Sequence, residues 1–207
     1  MSKVHLKKYR KCAAGGGRAV HAKQIQPSSD ADLERYCERA VEGGATYAKQ
    51  IHPSSVVTAP WVRLKCQFGC PGYDKGYCCP PNTPTSDETS AIIDSYHRAI
   101  LFHIEVPHMP EKGKHYAKYF DMLTELEGEM FKDGYYKAFV LLAGPCRLCK
   151  KCAKLQEEPC QLPHRARPSM EACGIDVYQT ARNNGFFIQT LRERTETNNE
   201  YCLMLVD

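Results

Sequence analysis

The densest run of cysteines in this chain constrains its structure more than any other feature. It comprises Cys146, Cys149, Cys152 and Cys160, with Pro145 and Pro159 beside its outer members. Cysteines at intervals of three residues converge easily on one small object, and ferredoxin-type loops wrap a cubic iron–sulfur cluster in this way. The spacing therefore predicts a [4Fe–4S] cluster held by these four thiolates. Zinc is the alternative, although zinc sites usually pair two Cys-x-x-Cys units across a longer loop.

A second group of cysteines lies upstream, at Cys66, Cys70, Cys78 and Cys79. Adjacent cysteines point in different directions on most backbones, so we expect one of the last two to bind metal and the other to pack. The proline that follows Cys79 fixes an extended backbone there and favours Cys79 as the ligand. Cys66, Cys70 and Cys79 then supply three ligands. Either another residue completes the set, or one iron stays open to a substrate, as in catalytic zinc sites. A structural zinc site is the alternative.

The two groups also allow an exchange of ligands. In two-cluster ferredoxins the fourth cysteine of each run serves the other cluster. Cys79 would then complete the 146–152 triple. Cys160 would in turn join Cys66 and Cys70. The sequence leaves open whether there are one or two clusters, and whether the upstream group binds iron or zinc.

The remaining cysteines and the histidines add few candidates. Cys37 and Cys202 follow apolar patterns and are predicted to pack in the core. Cys173 follows soon after the second group and is the reserve ligand, and His164 is the histidine nearest to that group. No metalloprotease pair, hydrolase elbow or nucleotide-binding loop is present in the sequence.

Length and composition favour metal binding over disulfides. The chain has 207 residues and 12 cysteines. A chain of this length buries roughly 70% of its unfolded surface, so it does not need a disulfide framework. The first ten residues lack the apolar stretch of a secretion signal, and no apolar run is as long as a membrane span. We therefore expect a cytoplasmic protein, and in that compartment clustered cysteines bind metal more often than they pair.

Charge is distributed unevenly. The formal net charge is +4, yet all 24 acidic side chains lie beyond residue 29, where they outnumber the basic ones. The first 29 residues contain seven basic side chains and no acidic one. We interpret residues 1–30 as a solvated N-terminal extension to a domain spanning 31–207. No basic face with interleaved aromatic residues follows, so nucleic acid is not an expected partner.

Apolar periodicity predicts an α/β fold, a single layered domain with a mixed sheet and two cysteine-rich metal-binding loops. Helices are predicted over 30–41, from Ser86 through 96, over 114–132 and from Ser169 through 181. Strands are predicted over 46–51, 56–64, 99–106, 138–143, 186–191 and 201–206. The cysteine groups follow predicted strands, where α/β folds place their sites.

Several motifs resemble a known family. They are Ala143-Gly144-Pro145-Cys146, Pro159-Cys160, the run from Ala166 to Asp176, Val62-Arg63-Leu64-Lys65-Cys66, Cys70, and Cys79-Pro80-Pro81. Over about residues 31–207 the chain is similar to a cysteine-rich prokaryotic family of predicted metal-binding proteins of unknown function. The resemblance implies a metal or iron–sulfur site, often in an anaerobic cytoplasm, and no known reaction. The implied ligands are Cys66, Cys70, Cys79, Cys146, Cys149, Cys152 and Cys160.

Three functions remain in view. The first is an iron–sulfur module for electron transport, which passes single electrons to a redox protein partner through a basic loop and needs no pocket. The second is an enzyme whose three-cysteine cluster leaves one iron open beside a cavity, lined by Tyr73, Tyr77 and His97. The third is a structural or metal-delivery protein that holds zinc or iron.

Overall fold

The computed structural model describes residues 31–108, 112–193 and 195–207. The expected N-terminal extension, residues 1–30, lies outside these ranges. The helices are α1 (Ala31–Glu42), α2 (Pro60–Gly69), α3 (Ser86–Ile93), α4 (Lys112–Lys132) and α5 (Val177–Asn183), with short 3-10 turns at Pro53–Ser55, Ala153–Gln156 and Glu171–Cys173. The strands are β1 (Tyr47–Ile51), β2 (Ala99–Val106), β3 (Phe139–Leu141) and β4 (Asn198–Leu205).

The four strands form one sheet in the order β1-β2-β4-β3. All three ladders are antiparallel, and β2 pairs with β4 along its whole length, from Ala99 opposite Leu205 to Val106 opposite Asn198. The predicted α/β class is confirmed. The sheet expected to be mixed is instead antiparallel in its ladders, with one isolated parallel bridge between Leu142 and Ser169.

The centre of the sheet is buried on both faces because most of β2 and the second half of β4, from Tyr201 to Leu205, are apolar. On one face Ile100, Phe102 and Ile104 pack against α1 and the apolar side of α4. On the other face Leu101 and Leu203 pack against a second cluster from α3, α5 and the 170–175 segment. Cys37 lies in the first cluster and Cys202 is fully buried, so their prediction as core residues is confirmed.

Local signals explain most helix boundaries. The side chain of Thr85 accepts from the backbone N–H of Glu88, whose carboxylate accepts from the N–H of Thr85, and this capping box begins α3. Gly134, with φ of 102°, follows the end of α4. None of the helices in the described ranges is both long and apolar enough to cross a membrane.

Two predicted strands are wrong. The 56–64 segment instead runs into α2, because Pro60 occupies the first turn of that helix, where its fixed φ is already helical. The 186–191 segment has no regular structure, and Phe187 is 73% exposed. The helix predicted from Ser169 through 181 is interrupted by Gly174, whose φ is 78°, so it is divided into a 3-10 turn and α5.

Candidate metal centre

The first cysteine group begins on helix α2. Cys66 lies in its last turn and Cys70 follows its end, where the N–H of Cys70 donates to the carbonyl of Cys66 at 3.3 Å. Positions four apart lie on the same face of a helix, so both sulfurs point to the same side. Burial raises the pKa of Cys66, and the neighbouring Cys70 and Glu171 raise it further.

A tight turn returns the chain to the end of α2. The N–H of Asp74 donates to the carbonyl of Pro80 at 2.8 Å, and the Asn82 amide donates to the carbonyls of Gly76 and Cys79. This closure places Cys79 beside the helix. A Cβ built on Gly72 would lie 3.5 Å from the sulfur of Cys70 and 3.9 Å from that of Cys79.

The second cysteine group lies in a loop that is closed at its base. The N–H of Leu142 donates to the carbonyl of Pro168, and the N–H of Met170 donates to the carbonyl of Leu142, both at 2.9 Å. The 143–168 segment between them contains only one short 3-10 turn, directly after Cys152. Few backbone hydrogen bonds hold such a loop, so its contacts with the first group and with any bound metal matter for its shape.

Polar contacts join the two loops. The Lys154 ammonium donates to the Asp74 carboxylate at 2.6 Å, and the Tyr77 hydroxyl donates to the carbonyl of Glu158 at 2.6 Å. A Cβ built on Gly76 would lie 3.8 Å from the sulfur of Cys152 and 3.9 Å from that of Cys79. Thiols from both loops therefore face the same small space.

A thiol contact between the loops joins Cys78 and Cys146. The Cys78 thiol donates to the sulfur of Cys146, which lowers the pKa of Cys146 and raises that of Cys78. Cys78 is also the most buried of the site cysteines, at 8% exposure, while Cys70 and Cys146 are exposed.

Two cavities flank the junction of the loops. The smaller has a volume of about 250 Å³, and its wall includes Cys78, Cys79, Cys146, Cys149, Cys152 and Cys160. The larger has a volume of about 450 Å³, and its wall includes Cys66, Cys70, Cys78 and Cys79. Cys78 and Cys79 form the partition between the two cavities.

The thiolate donor set suits a soft metal. Among the described residues, no group of three or more His, Cys, Asp or Glu side chains converges as if around a single ion. The cysteines are instead distributed around a cavity, and Gly72 and Gly76 leave room beside the sulfurs where any other residue would place a Cβ. The residues present therefore fit a thiolate-bound centre that fills a volume.

All seven predicted ligands line one or both of these cavities, and their role as ligands stays a prediction. Cys160 lines the smaller cavity with the 146–152 triple, and it does not line the larger one, so the proposed transfer of Cys160 to Cys66 and Cys70 gains no support. Cys79 borders both sets. The predicted division of roles between Cys78 and Cys79 stays a prediction.

Other candidates lie elsewhere. Cys173 is buried in the core beneath the sheet, and His164 is exposed outside both cavities. Tyr73 lines the larger cavity as expected, whereas Tyr77 lines the smaller one, and the backbone of His97 pairs with Asp207. Sequence reasoning missed the three acids in the wall of the larger cavity, Glu171, Asp176 and Glu200, because isolated acids have no diagnostic spacing.

Comparison with known proteins supports the metal assignment at the level of the family. A family profile described as a predicted metal-binding protein family, DUF2284, matches residues 49–206. No curated protein matches the chain, and no solved structure matches it. The match begins in β1 and ends beyond β4, so it includes the sheet and both cysteine loops. The chain belongs to this family of predicted metal-binding proteins.

Proposed function

We propose that this protein binds a [4Fe–4S] cluster in the smaller cavity and acts in single-electron transfer. The observation that carries the proposal is the wall of that cavity, where the four cysteines of the second group surround about 250 Å³ together with Cys78 and Cys79. Thiolates are the ligands of iron–sulfur clusters, and a cluster of several atoms needs a larger cavity than a single metal ion does. The fourth position of the set belongs to Cys160.

The surface of the second loop supports exchange of electrons with a protein partner. Lys150 and Lys151 are exposed and line the smaller cavity, beside Cys149 and Cys152. Exposed cations at the edge of a redox centre accelerate encounter with an acidic partner. Cys149 and Cys152 are only half-buried, so an electron can pass between a cluster and a partner at the surface without a long path through the core.

A second function, an enzyme that uses a three-cysteine centre, is favoured by the larger cavity. Cys66, Cys70 and Cys79 contribute to the wall of a 450 Å³ space that also contains carboxylates and aromatic side chains. Ligand sites of proteins have volumes of roughly 300–1,000 Å³. A bound metal with one open position would supply Lewis acidity there, while the chain supplies the cavity that positions a substrate.

Anaerobic purification followed by iron, zinc and acid-labile sulfide analysis tests the proposal. One cluster gives about four iron and four sulfide per chain, and two give about twice that. Cys149→Ser should lose iron and sulfide together, whereas the core variant Cys37→Ala should keep both. Stoichiometric zinc without sulfide would refute the cluster and electron transfer, and unchanged iron in Cys149→Ser would remove the cluster from the second loop.

A further inference from the structure

One residue of the larger cavity wall, Glu171, has a buried carboxylate oxygen without a hydrogen-bond partner. Oε2 of Glu171 has no contact with solvent and no hydrogen-bond partner, and Glu171 lines the cavity. An unsatisfied buried acceptor costs about 1–3 kcal/mol, and more when it is charged. Buried polar groups in native structures almost always have a hydrogen-bond partner, so an unpaired one indicates a missing water, ion or ligand.

The surroundings of Glu171 are acidic. Glu200 and Asp176 line the same cavity. Burial raises the pKa of Glu200, and the nearby carboxylate of Glu171 raises it further. Lys65 is the cationic side chain in this wall among the described residues.

The other acids and the nearest arginine are already engaged. Asp176 accepts from the N–H of Gln179 at 2.9 Å, and Glu200 accepts from the Tyr116 hydroxyl at 3.1 Å. The Arg63 guanidinium donates to the carbonyls of Thr83, Pro84 and Ala172. The Glu171 carboxylate accepts from the Ser169 hydroxyl and from the backbone N–H of Gly144, and its Oε2 still lacks a donor among the described residues.

The rest of the cavity wall is mainly aromatic and aliphatic, so it suits the hydrocarbon part of an organic ligand. It includes Trp61, Tyr73, Tyr178, Tyr201 and Ile188. Aromatic faces attract cations within about 6 Å of the ring, so these side chains complement a positive group as well as an apolar one. Trp61 is 47% exposed, which leaves the entrance to the cavity accessible from solvent.

We propose that this cavity binds a small organic cation, a primary amine with an aromatic or aliphatic body, whose ammonium group donates to Glu171. The body lies against the aromatic wall beside Trp61, and the ammonium lies at the acidic end near Cys66. This binding site goes beyond electron transfer and does not depend on which metal the thiols hold.

The test uses the full chain purified anaerobically and two pairs of probes, benzylamine with benzyl alcohol and butylamine with butanol. Trp61 is the only tryptophan of the chain, so its fluorescence reports on this cavity, and calorimetry gives the affinity independently. Each amine should bind at least about tenfold more tightly than its alcohol, because one hydrogen bond to a charged group is worth that factor.

Glu171→Gln should remove the preference for the amine, because the amide keeps the shape of the side chain and loses its charge. The control Glu125→Gln changes an exposed acid on α4 outside the cavity and should keep the preference. Circular dichroism checks that both variants fold.

Three results would overturn the inference. The first is the absence of saturable binding by both amines, and the second is a preference for amines that survives in Glu171→Gln. The third is a loss of iron or zinc in Glu171→Gln, which would make Glu171 a metal ligand instead of a ligand anchor. Because metal content is measured separately, failure of the amine site leaves the proposed cluster intact, and the reverse also holds.

Discussion

At the scale of single residues, Gly76 lies close to a cysteine sulfur of each loop. Its missing side chain leaves a gap between the sulfurs of Cys79 and Cys152, where a Cβ would lie 3.9 Å and 3.8 Å from them. These are ordinary van der Waals distances, so the metal-free protein has room for a methyl group. A bound metal centre and its inorganic sulfur would compete for the same space.

We therefore predict that Gly76→Ala lowers the iron content of anaerobically purified protein. The free energy of unfolding of the metal-free protein should change by less than about 0.5 kcal/mol, since the substitution removes no contact. Gly128→Ala on α4 is the control, because nothing lies within 4 Å of its added Cβ. Full iron loading in Gly76→Ala would show that no centre occupies the space between these two sulfurs.

At the scale of elements, a half-buried ion pair attaches the second cysteine loop to the sheet. Arg167 donates to both carboxylate oxygens of Glu127 on α4, at 2.8 Å and 2.5 Å. The same carboxylate accepts from the N–H of Val140 in β3 at 2.7 Å. The Glu127 side chain therefore joins a helix, a strand and the end of the loop. The side chains of the ion pair are only 11% (Glu127) and 13% (Arg167) exposed.

Glu127→Gln should destabilise the protein by about 3 kcal/mol, because it leaves a largely buried guanidinium without its counter-charge. The matched control is Glu129→Gln, which breaks an exposed pair with Arg39 on the same helix and should cost under about 1 kcal/mol. Urea unfolding of both variants measures the difference. Equal costs would show that the Glu127 pair does not hold the loop to the sheet.

The sequence was sufficient for the elements whose pattern is dictated by burial. β2 and α4 were predictable because β2 is apolar at most of its positions and α4 has apolar residues at helical period. Helix α2 was not, because the apolar residues after Pro60 fit either a strand or a short helix. Gly174 interrupted a predicted helix because its turn approaches α3, where any Cβ would lie 2.9 Å from that of Ser86.

The candidate site was predictable only in part, for a related reason. Regular spacing within the second loop predicted that Cys146, Cys149 and Cys152 form one set, and it left open whether Cys160 belongs to that set. The contact of Cys78 with Cys146 depends on how two distant loops fold together, and no local pattern encodes it. The same holds for Glu171, whose importance comes from a cavity that is formed by α2, β4 and the 169–178 segment.

At the scale of the whole molecule, the helical layers leave one end of the structure to the cysteine loops. The two cavities there are separate spaces with a common wall, because Cys78 and Cys79 line both. Cys66 and Cys70 line only the larger cavity, and Cys149 lines only the smaller one. A change in the common wall should therefore affect metal binding on both sides, and a change in an outer wall should affect one side.

This arrangement predicts an order of iron loss among three variants of the full chain. Cys149→Ser should lose the iron held at the smaller cavity, and Cys66→Ser should lose only what the larger cavity holds. Cys79→Ser should lose more iron than either, because Cys79 lines both cavities. Iron and sulfide per chain, with electron paramagnetic resonance of the reduced protein, measure the order. If Cys79→Ser loses no more iron than Cys66→Ser does, the two cavities do not share a ligand, and Cys79 belongs to the first group alone.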